Sequence, residues 1–315
     1  MLWYHYVLIS LGALLFLYLI LSYFLYRKVF ITFNKKPRKF VDHTSDFYSC
    51  SYDWFEKIPK DDIYIRSYDN LKLHGYYIPP LDKNTKNIAI IIHGYQSRAT
   101  DMIVVGKMYS DLGFKVLLID LRAHGESEGN FTSMGHYEKY DLKKWINFAL
   151  RSYGANSKIL LHGVSMGAAM SMLVMEKKIK QHVDFLVLDS GFTYFSKTLS
   201  QSLRHSFFRI GILGVSLFTY LFQRYTLRKI APLKAMKKID IPLLIIHGEK
   251  DNPVPIKMAN ELYAASPSKN KNFLVVSNAP HAKAFEVNKD LVMNKIITCI
   301  SHTFSIKKTY IKNCE

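Results

Sequence analysis

The stretch Lys158-Ile-Leu-Leu-His-Gly-Val-Ser-Met-Gly-Ala-Ala-Met170 decides how the rest of this chain is interpreted. It opens with the apolar run 159–161, which is typical of a buried strand, and leads into residues 168–175, whose small and apolar side chains are typical of a packed helix. Between the two lies Gly163-Val-Ser-Met-Gly167, a G-x-S-x-G pattern. A serine at so sharp a strand-to-helix turn has a strained backbone and a hydroxyl that is pushed outward.

Ser165 is therefore a candidate nucleophile. The helix that follows points its unpaired N–H groups and the positive end of its dipole at the same place. A hydroxyl held there would attack a carbonyl carbon, and the N–H of Met166 would stabilise the resulting oxyanion. The alternative is a plain tight turn, because the pattern also recurs by chance. The apolar strand before it and the small-residue helix after it favour the functional interpretation.

Short apolar runs alternate with helical patterns over most of the chain. A predicted hairpin at 61–66 and 71–78 is followed by predicted strands at 88–92, 116–120, 159–161, 183–188, 242–246 and 273–276. Helical spacing is found at 99–112, 133–152, 168–175, 256–265 and 284–304. This alternation predicts the α/β class, with a mostly parallel sheet and helices on both of its faces.

A serine hydroxyl needs a base to take its proton, and His281 is the best candidate. It follows the last predicted strand and precedes the last helix, which places it at the same carboxyl-end edge of a parallel sheet as Ser165. The remaining strand-end histidines precede glycines and are interpreted as residues that brace loops; they are His74, His93, His124, His162 and His247.

The base needs a carboxylate to orient it, and Asp251 follows the strand at 242–246. The order Ser165, Asp251, His281 is the order found when this set of residues is built on such a sheet. Asp189 and Glu249 are the competing carboxylates. The second oxyanion donor should come from the loop after the strand at 88–92, which gives the backbone N–H of Tyr95, with that of Gln96 next in line.

The motifs together resemble a known superfamily. In order they are His93-Gly94, Asp120-Leu-Arg-Ala-His-Gly-Glu-Ser127, Gly163–Gly167, His247-Gly-Glu-Lys-Asp251 and Pro280-His281. Over residues 61–305 the chain resembles the α/β-hydrolases, in particular the branch with monoglyceride-lipase-like, serine-aminopeptidase-like and depalmitoylase-like members. Membrane-anchored proteins of this kind are found in Gram-positive bacteria. The resemblance implies an α/β-hydrolase fold, and it implies a structural rather than catalytic role for the loop that contains His124.

Residues 1–26 contain no Asp, Glu, Lys or Arg and are almost entirely apolar or aromatic. About 20 such residues suffice to cross a bilayer as a helix. A cleaved signal peptide is the alternative, but a basic start, a shorter apolar core and a small-residue cleavage site are all lacking. We therefore predict an uncleaved, single-pass anchor in the cell membrane. Basic residues follow it directly, so the positive-inside rule places the large C-terminal part in the cytoplasm, with the extracellular face as the alternative.

All 43 basic and 25 acidic residues follow the anchor, so the net charge of +18 belongs to the rest of the chain. This charge is interpreted either as a solubilising surface or as attraction to anionic lipid head groups. No nucleic-acid partner is predicted, because no recognised nucleic-acid-binding motif accompanies the charge. The three cysteines have no metal or disulfide spacing, and we predict neither a metal nor another cofactor.

Residues 192–240 form a long connection between two predicted sheet strands, where usual loops have about two to six residues. In the resembling superfamily an insertion here forms a cap over the nucleophile. Its uncharged middle, 210–222, is too short to span a membrane. It is interpreted either as a buried cap helix or as an apolar surface that contacts acyl chains or lipid.

The sequence therefore predicts a membrane-anchored serine hydrolase that cleaves carboxylic esters, including lipid-derived ones, through an acyl-enzyme on Ser165. A peptidase, amidase or thioesterase with the same catalytic residues is one alternative, and a non-catalytic anchored scaffold is another. The predicted organisation is an anchor at 1–26, a basic linker and lead-in at 27–60, a hydrolase domain at 61–305 with its cap at 192–240, and a basic tail at 306–315.

Overall fold

The structure is a computed structural model that describes residues 3–31, 46–202 and 206–306. Almost all of the predicted basic tail lies outside these residues. The strands are β1 Asp61–Arg66, β2 Lys72–Ile78, β3 Asn87–Ile92, β4 Lys115–Ile119, β5 Lys158–Val164, β6 Phe185–Asp189, β7 Leu243–Gly248 and β8 Lys271–Val276. The helices are α1 Trp3–Phe30, α2 Asp46–Lys57, α3 Ile103–Asp111, α4 Glu138–Tyr153, α5 Met166–Leu173, α6 Lys177–Lys180, α7 Phe195–Ser202, α8 Ser206–Gln223, α9 Pro232–Met236, α10 Ile256–Ala265, α11 Ala284–Val287 and α12 Lys289–Phe304.

The strands form one sheet in the order β1-β2-β4-β3-β5-β6-β7-β8. The β1–β2 hairpin and the β2–β4 pair are antiparallel, and every pair from β4 to β8 is parallel. The parallel strands end at one edge of the sheet, where the loops after β3, β5, β7 and β8 come together. The predicted α/β fold with a mostly parallel sheet is confirmed.

Both faces of the sheet are covered, and β3 shows how the sequence achieves this. Ile88, Ile90 and Ile92 face one apolar layer together with residues of α4 and α5, whereas Ala89 and Ile91 face the other layer with residues of α3 and α12. Side chains alternate between the faces of a strand, so a continuous apolar run is what a doubly covered strand requires.

The helices predicted at 133–152 and 284–304 have different bounds in the structure, and local hydrogen bonds explain both differences. The helix predicted at 133–152 begins at Glu138, because the carboxylate of Glu138 accepts hydrogen bonds from the N–H groups of Ser133 and Gly135 and holds them in a turn. The helix predicted at 284–304 is divided at Asn288, whose side chain accepts from the N–H of Leu291 and caps the second part.

Two helices occupy described parts of the segment that was predicted as a basic linker and lead-in, 27–60. Helix α1 continues past the predicted anchor boundary to Phe30, and α2 occupies 46–57. Side chains 3–17 of α1 are exposed, whereas Ser22, Tyr26 and Phe30 are buried. This burial comes from the cap, because the rings of Tyr23 and Tyr26 pack against Phe218 and Phe222 of α8.

The predicted cap region, 192–240, contains α7, α8 and α9 between β6 and β7. The apolar sequence of α8 was interpreted either as a buried cap helix or as an apolar surface, and the helix has both features. One of its faces is buried, with Val215 and Thr219 fully covered. The opposite face exposes large apolar side chains: Leu213, Leu217, Tyr220 and Leu221. The cap helix is therefore half core and half exposed apolar surface.

Candidate active site

Ser165 lies between β5, which ends at Val164, and α5, which begins at Met166. Its backbone has φ 53° and ψ −109°, a conformation that is strained for a residue with a Cβ. The N–H of Ser165 donates to the carbonyl of Asp189 at 2.8 Å, which ties the turn to the neighbouring strand β6. The strained conformation of Ser165 is thus stabilised by the sheet on one side and by α5 on the other.

The two glycines of the motif are required by space. A Cβ on Gly163 would lie 2.4 Å from the carbonyl carbon of Gly167, and a Cβ on Gly167 would lie 2.2 Å from the carbonyl oxygen of Ile92. Both distances are far shorter than any van der Waals contact. The spacing in G-x-S-x-G is therefore explained by the close crossing of α5 over the ends of β3 and β5.

His281 lies in the loop between β8 and α11, with its imidazole between two of the predicted partners. Its Nε2 is 2.8 Å from Oγ of Ser165, and its Nδ1 is 2.7 Å from Oδ2 of Asp251. Because the carboxylate can only accept, Nδ1 carries the proton, and Nε2 is left to accept from the serine hydroxyl. The structure therefore brings the three predicted residues into one relay of hydrogen bonds.

Asp251 is fully enclosed, whereas about a quarter of the His281 side chain is exposed. The loop after β7 holds the carboxylate in place, since its Oδ1 accepts from the N–H of Val254 at 2.8 Å. His247 supports the same loop, with its Nε2 donating to the Val254 carbonyl at 2.7 Å. Burial lowers the pKa of His247, so it braces the loop as a neutral ring.

Neither competing carboxylate is hydrogen-bonded to His281. Asp189 accepts from the hydroxyl of Ser190 at 2.8 Å, and Ser190 in turn accepts from the N–H of Ala282 at 3.1 Å. Burial raises the pKa of Asp189 to about 6. Glu249 accepts from the N–H of Asn278 at 3.0 Å. Both carboxylates order the loops around the imidazole, and only Asp251 of the three predicted candidates reaches it.

The two predicted oxyanion donors flank Ser165. Met166 is the first residue of α5, where N–H groups have no partner within the helix. The loop after β3 passes close to the serine, because a Cβ on Gly94 would lie 3.4 Å from Cβ of Ser165. Tyr95 is the next residue. The alternative donor, Gln96, directs its N–H to Nε2 of His124 at 3.1 Å, which leaves Tyr95 as the better candidate.

The loop at 120–127 packs against the loop after β3, which we call the donor loop because it contains Tyr95. His124 donates through Nδ1 to the carbonyl of Arg122 and accepts through Nε2 from Gln96. His93 accepts through Nε2 from the N–H of Leu121, and burial together with the nearby His124 lowers its pKa to about 3. These neutral rings hold one loop against the other, as the structural interpretation of the strand-end histidines predicts.

A cavity of about 460 Å³ opens above Ser165. Its walls include the serine and the imidazole together with apolar side chains from five parts of the chain: Val29, Met102, Met134, Phe192, Phe195, Leu199 and Val254. Val29 of α1 and Tyr48 of α2 were not anticipated, because both lie outside the segment that carries the motifs. Among the described residues no group of three or more His, Cys, Asp or Glu side chains could hold a metal ion.

A solved structure that resembles this one is an esterase. The Pyrococcus furiosus esterase Pf2001 superposes with a TM-score of 0.65 and 26% identity, covering 78% of this chain and 93% of the esterase. A family model described as "Serine aminopeptidase, S33" matches residues 83–210. The chain has the α/β-hydrolase fold, and these matches support a member of the α/β-hydrolase superfamily. The resemblance noted from the sequence motifs is thereby confirmed, and the comparisons support an enzyme of the hydrolase class.

Two further relatives match over most of this hydrolase. The uncharacterized protein YqkD of Bacillus subtilis is 28% identical, over 90% of this chain and 93% of its own length. The lysophosphatidylserine lipase ABHD12 of Rattus norvegicus is 25% identical, over 76% of this chain and 61% of its own length. The similarity to YqkD covers nearly the whole of both chains, so it extends beyond the segment that the family model matches.

Proposed function

We propose that this hydrolase cleaves carboxylic esters through an acyl-enzyme on Ser165. The observation that carries the proposal is the relay from Ser165 through His281 to Asp251, with distances of 2.8 and 2.7 Å, at the floor of an apolar cavity. A nucleophile in contact with a base, and a base in contact with a buried carboxylate, is the arrangement that makes a serine hydroxyl reactive.

The mechanism has two steps. As Oγ of Ser165 bonds to the acyl carbon, Nε2 of His281 takes the hydroxyl proton, and the N–H groups of Met166 and Tyr95 stabilise the oxyanion. His281 then returns the proton to the departing alcohol, which leaves an ester on the serine. Water repeats the sequence, with His281 taking its proton, and the carboxylic acid is released. Asp251 keeps the imidazole oriented and stabilises its cationic form.

The walls of the cavity favour an acyl chain over a polar substrate. Side chains from the cap, from α1 and from the loops present mainly carbon atoms to the space above Ser165. Burial of such surface gives about 25 cal/mol for each Å² removed from water, which is a sufficient source of affinity for a hydrocarbon chain. The similarity to a lysophosphatidylserine lipase favours the same class, a lipid-derived ester with one long acyl chain.

An aminopeptidase is the second candidate, because the matching family model bears that description. Such an enzyme needs a carboxylate to bind the substrate amine. The two acidic residues among those that line the cavity, Asp101 and Glu286, are both engaged already. Asp101 accepts from Ser97 at 2.8 Å, and Glu286 accepts from Tyr48 at 2.7 Å and pairs with Lys283. This arrangement favours the ester.

Within the described residues, α1 is one helix that is long and apolar enough to cross a membrane. We propose that it remains attached as an anchor rather than being removed as a signal sequence. Its last three turns contribute Ser22, Tyr26 and Phe30 to the buried interior. Removal of the helix would uncover Phe195, which packs edge-on against Phe30 at a centroid distance of 5.8 Å.

We propose that the cap lies at the membrane, and the exposed length of α1 supports this placement. Residues 3–17 stand free of the domain and span about 22 Å at 1.5 Å per residue. The hydrocarbon core of a bilayer is about 30 Å thick, so the next turns, which contact α8, would also lie within it. The exposed apolar face of α8 would then meet lipid rather than water. This placement supports a substrate that is drawn from the bilayer.

The side of the membrane follows from the charges. Arg27 and Lys28 lie in the last turn of α1, and no Asp, Glu, Lys or Arg precedes them. We propose that the domain faces the cytoplasm by the positive-inside rule. Protease added to intact cells should leave the domain uncut, and protease added to inverted membrane vesicles should digest it. The reverse result would reverse the orientation.

Labelling with a fluorophosphonate probe tests the proposed chemistry. The full-length protein in detergent should be labelled and should hydrolyse p-nitrophenyl esters, and Ser165→Ala should abolish both activities. Ser196→Ala, on the cap helix α7 outside the cavity lining, is the matched control and should retain both. A panel of acyl esters, acyl thioesters and aminoacyl amides then ranks the substrate classes. Labelling that persists in Ser165→Ala would refute the assignment, and a preference for aminoacyl amides would favour the peptidase.

A further inference from the structure

The C-terminal end of α1 is bonded to the hydrolase domain. The last carbonyls of a helix have no partner within the helix and must find one elsewhere. Here the carbonyl of Phe30 accepts from the N–H of Thr132 at 2.9 Å, and the carbonyl of Val29 accepts from the phenol of Tyr95 at 2.8 Å. Ile31 then forms an isolated antiparallel bridge with Phe131. The C-terminal end of α1 is therefore hydrogen-bonded into the hydrolase domain.

The same turn borders the catalytic cavity. Val29 is one of the residues that line the space above Ser165. Phe30, one position further, has no exposed surface and packs against Phe195 of the cap. The end of α1 is thus fixed between the cap and the loop after β3, and its position cannot change without moving one of them.

Tyr95 connects this turn to the chemistry. Its backbone N–H is the proposed second oxyanion donor, and its side chain donates to α1. The neighbouring residue, Gln96, has a positive φ of 61° and is held from the other side by the imidazole of His124. The donor loop is therefore clamped between a neutral histidine and the end of the helix, so the direction of the Tyr95 N–H depends on both.

We propose that the last turn of α1 is a positioning element of the oxyanion hole, and that the phenol of Tyr95 transmits its position. The inference rests on the proposed function. Oxyanion donors act only when they point at the place where the charge develops, and losing one costs about a hundred- to a thousand-fold in kcat. Loosening one without removing it should cost less. Tyr95→Phe keeps the N–H and the ring and removes the hydroxyl that donates to the carbonyls of Val29 and Lys28 in the last turn of α1, so kcat should fall roughly ten-fold with KM nearly unchanged.

The test uses the full-length protein in detergent with a p-nitrophenyl ester. Tyr225→Phe is the matched control, because the phenol of Tyr225, which is more buried than that of Tyr95, also donates to a backbone carbonyl, that of Ser133 at 3.2 Å, but does not line the cavity. Affinity for a trifluoromethyl ketone, which forms an oxyanion adduct with the serine, is the second readout. In Tyr95→Phe this affinity should weaken by the same factor as kcat, and in Tyr225→Phe both should stay at the wild-type values.

The outcomes separate the two proposals. A wild-type protein that neither hydrolyses the ester nor reacts with a fluorophosphonate would remove the proposed function and the inference with it. An active wild type whose Tyr95→Phe variant has an unchanged kcat would overturn the inference alone. A raised KM with unchanged kcat would also overturn it, because the phenol would then bind substrate instead of positioning the loop. Equal losses in both tyrosine variants would indicate general destabilisation and would overturn it as well.

Discussion

Replacing Phe30 by alanine perturbs the junction between α1 and the domain directly. The side chain has no exposed surface, stacks with Tyr26 at 5.7 Å and meets Phe195 of the cap at 5.8 Å. Truncating a buried phenylalanine to alanine costs about 3–5 kcal/mol, since the transfer free energy is lost and a cavity remains. We expect Phe30→Ala to lower the free energy of unfolding by about that amount.

The same helix supplies a matched control in Phe24, whose side chain is 64% exposed. Phe24→Ala should change the free energy of unfolding by less than about 0.5 kcal/mol, because exposed side chains contribute little. Thermal unfolding of the full-length protein in detergent measures both variants. At roughly 2–4 °C for each kcal/mol in a domain of this size, Phe30→Ala should lower Tm by about 10 °C.

The activity of the same two variants carries the second half of the prediction. The carbonyl of Val29, which accepts from Tyr95, is adjacent to Phe30, so Phe30→Ala should also lower kcat at a temperature where the variant is fully folded. Phe24→Ala should keep the wild-type kcat. Equal Tm shifts in the two variants, or a Phe30→Ala variant as stable as the wild type, would refute the view that the end of α1 is part of the domain core.

Three further predictions concern other sites. Arg122→Met should cost about 3 kcal/mol or more in urea unfolding, because it leaves the buried carboxylate of Asp141 without the guanidinium that binds it at 2.6 and 2.8 Å; the exposed Arg66→Met is its control. Asp189 has a pKa of about 6 in the folded protein, so it stays protonated to a higher pH there than in the unfolded chain. The free energy of unfolding of the wild type should therefore fall by up to about 3 kcal/mol as pH rises from 4 to 6. Asp189→Asn should remove that loss, and urea midpoints at pH 4 and pH 8 would reveal it. Gly167→Ala should abolish ester hydrolysis and fluorophosphonate labelling, because its Cβ would lie 2.2 Å from the carbonyl of Ile92.

The sheet and the relay could be predicted because each rests on a local pattern. The strands that end at the site are short apolar runs, and a strand covered on both faces has to be such a run. Ser165 lies in a motif whose spacing is set by a close backbone crossing. Asp251 was preferred to Asp189 through the order of residues along the chain, and the structure brings Asp251 rather than Asp189 to the imidazole. Neighbouring residues contain the information for the strands and for Ser165, and the order of the motifs along the chain contains it for Asp251.

The outer walls of the site could not be predicted, because they depend on how distant segments pack. Helix α2 mixes polar and aromatic residues, so its sequence does not predict a packed helix. In the structure its Phe55 is buried on the face of the sheet that α3 also covers. Tyr48 of the same helix reaches the cavity. Val29 belongs to the segment 27–60, which the sequence assigns to a basic linker and lead-in. Neither position carries a motif, so no pattern in the sequence connects it to Ser165.

The sequence of α8 indicates that another helix packs closely against it, but it does not identify α1 as that helix. The two helices meet at small residues, since a Cβ on Gly214 would lie 2.2 Å from Oγ of Ser22 and one on Gly211 would contact Leu25 at 3.5 Å. Small residues let helices approach closely, in membranes above all, so two glycines three positions apart in the uncharged stretch 210–222 indicate a close partner. They do not identify it, because any helix with a small residue at the right height would fit. The partner of α8 is determined by the rest of the domain, which fixes both the end of α1 and the start of the cap. The position of α1 relative to the loop after β3 is therefore set by packing between distant segments, and a shift of α1 along α8 would reach Tyr95 through the carbonyls of Val29 and Lys28.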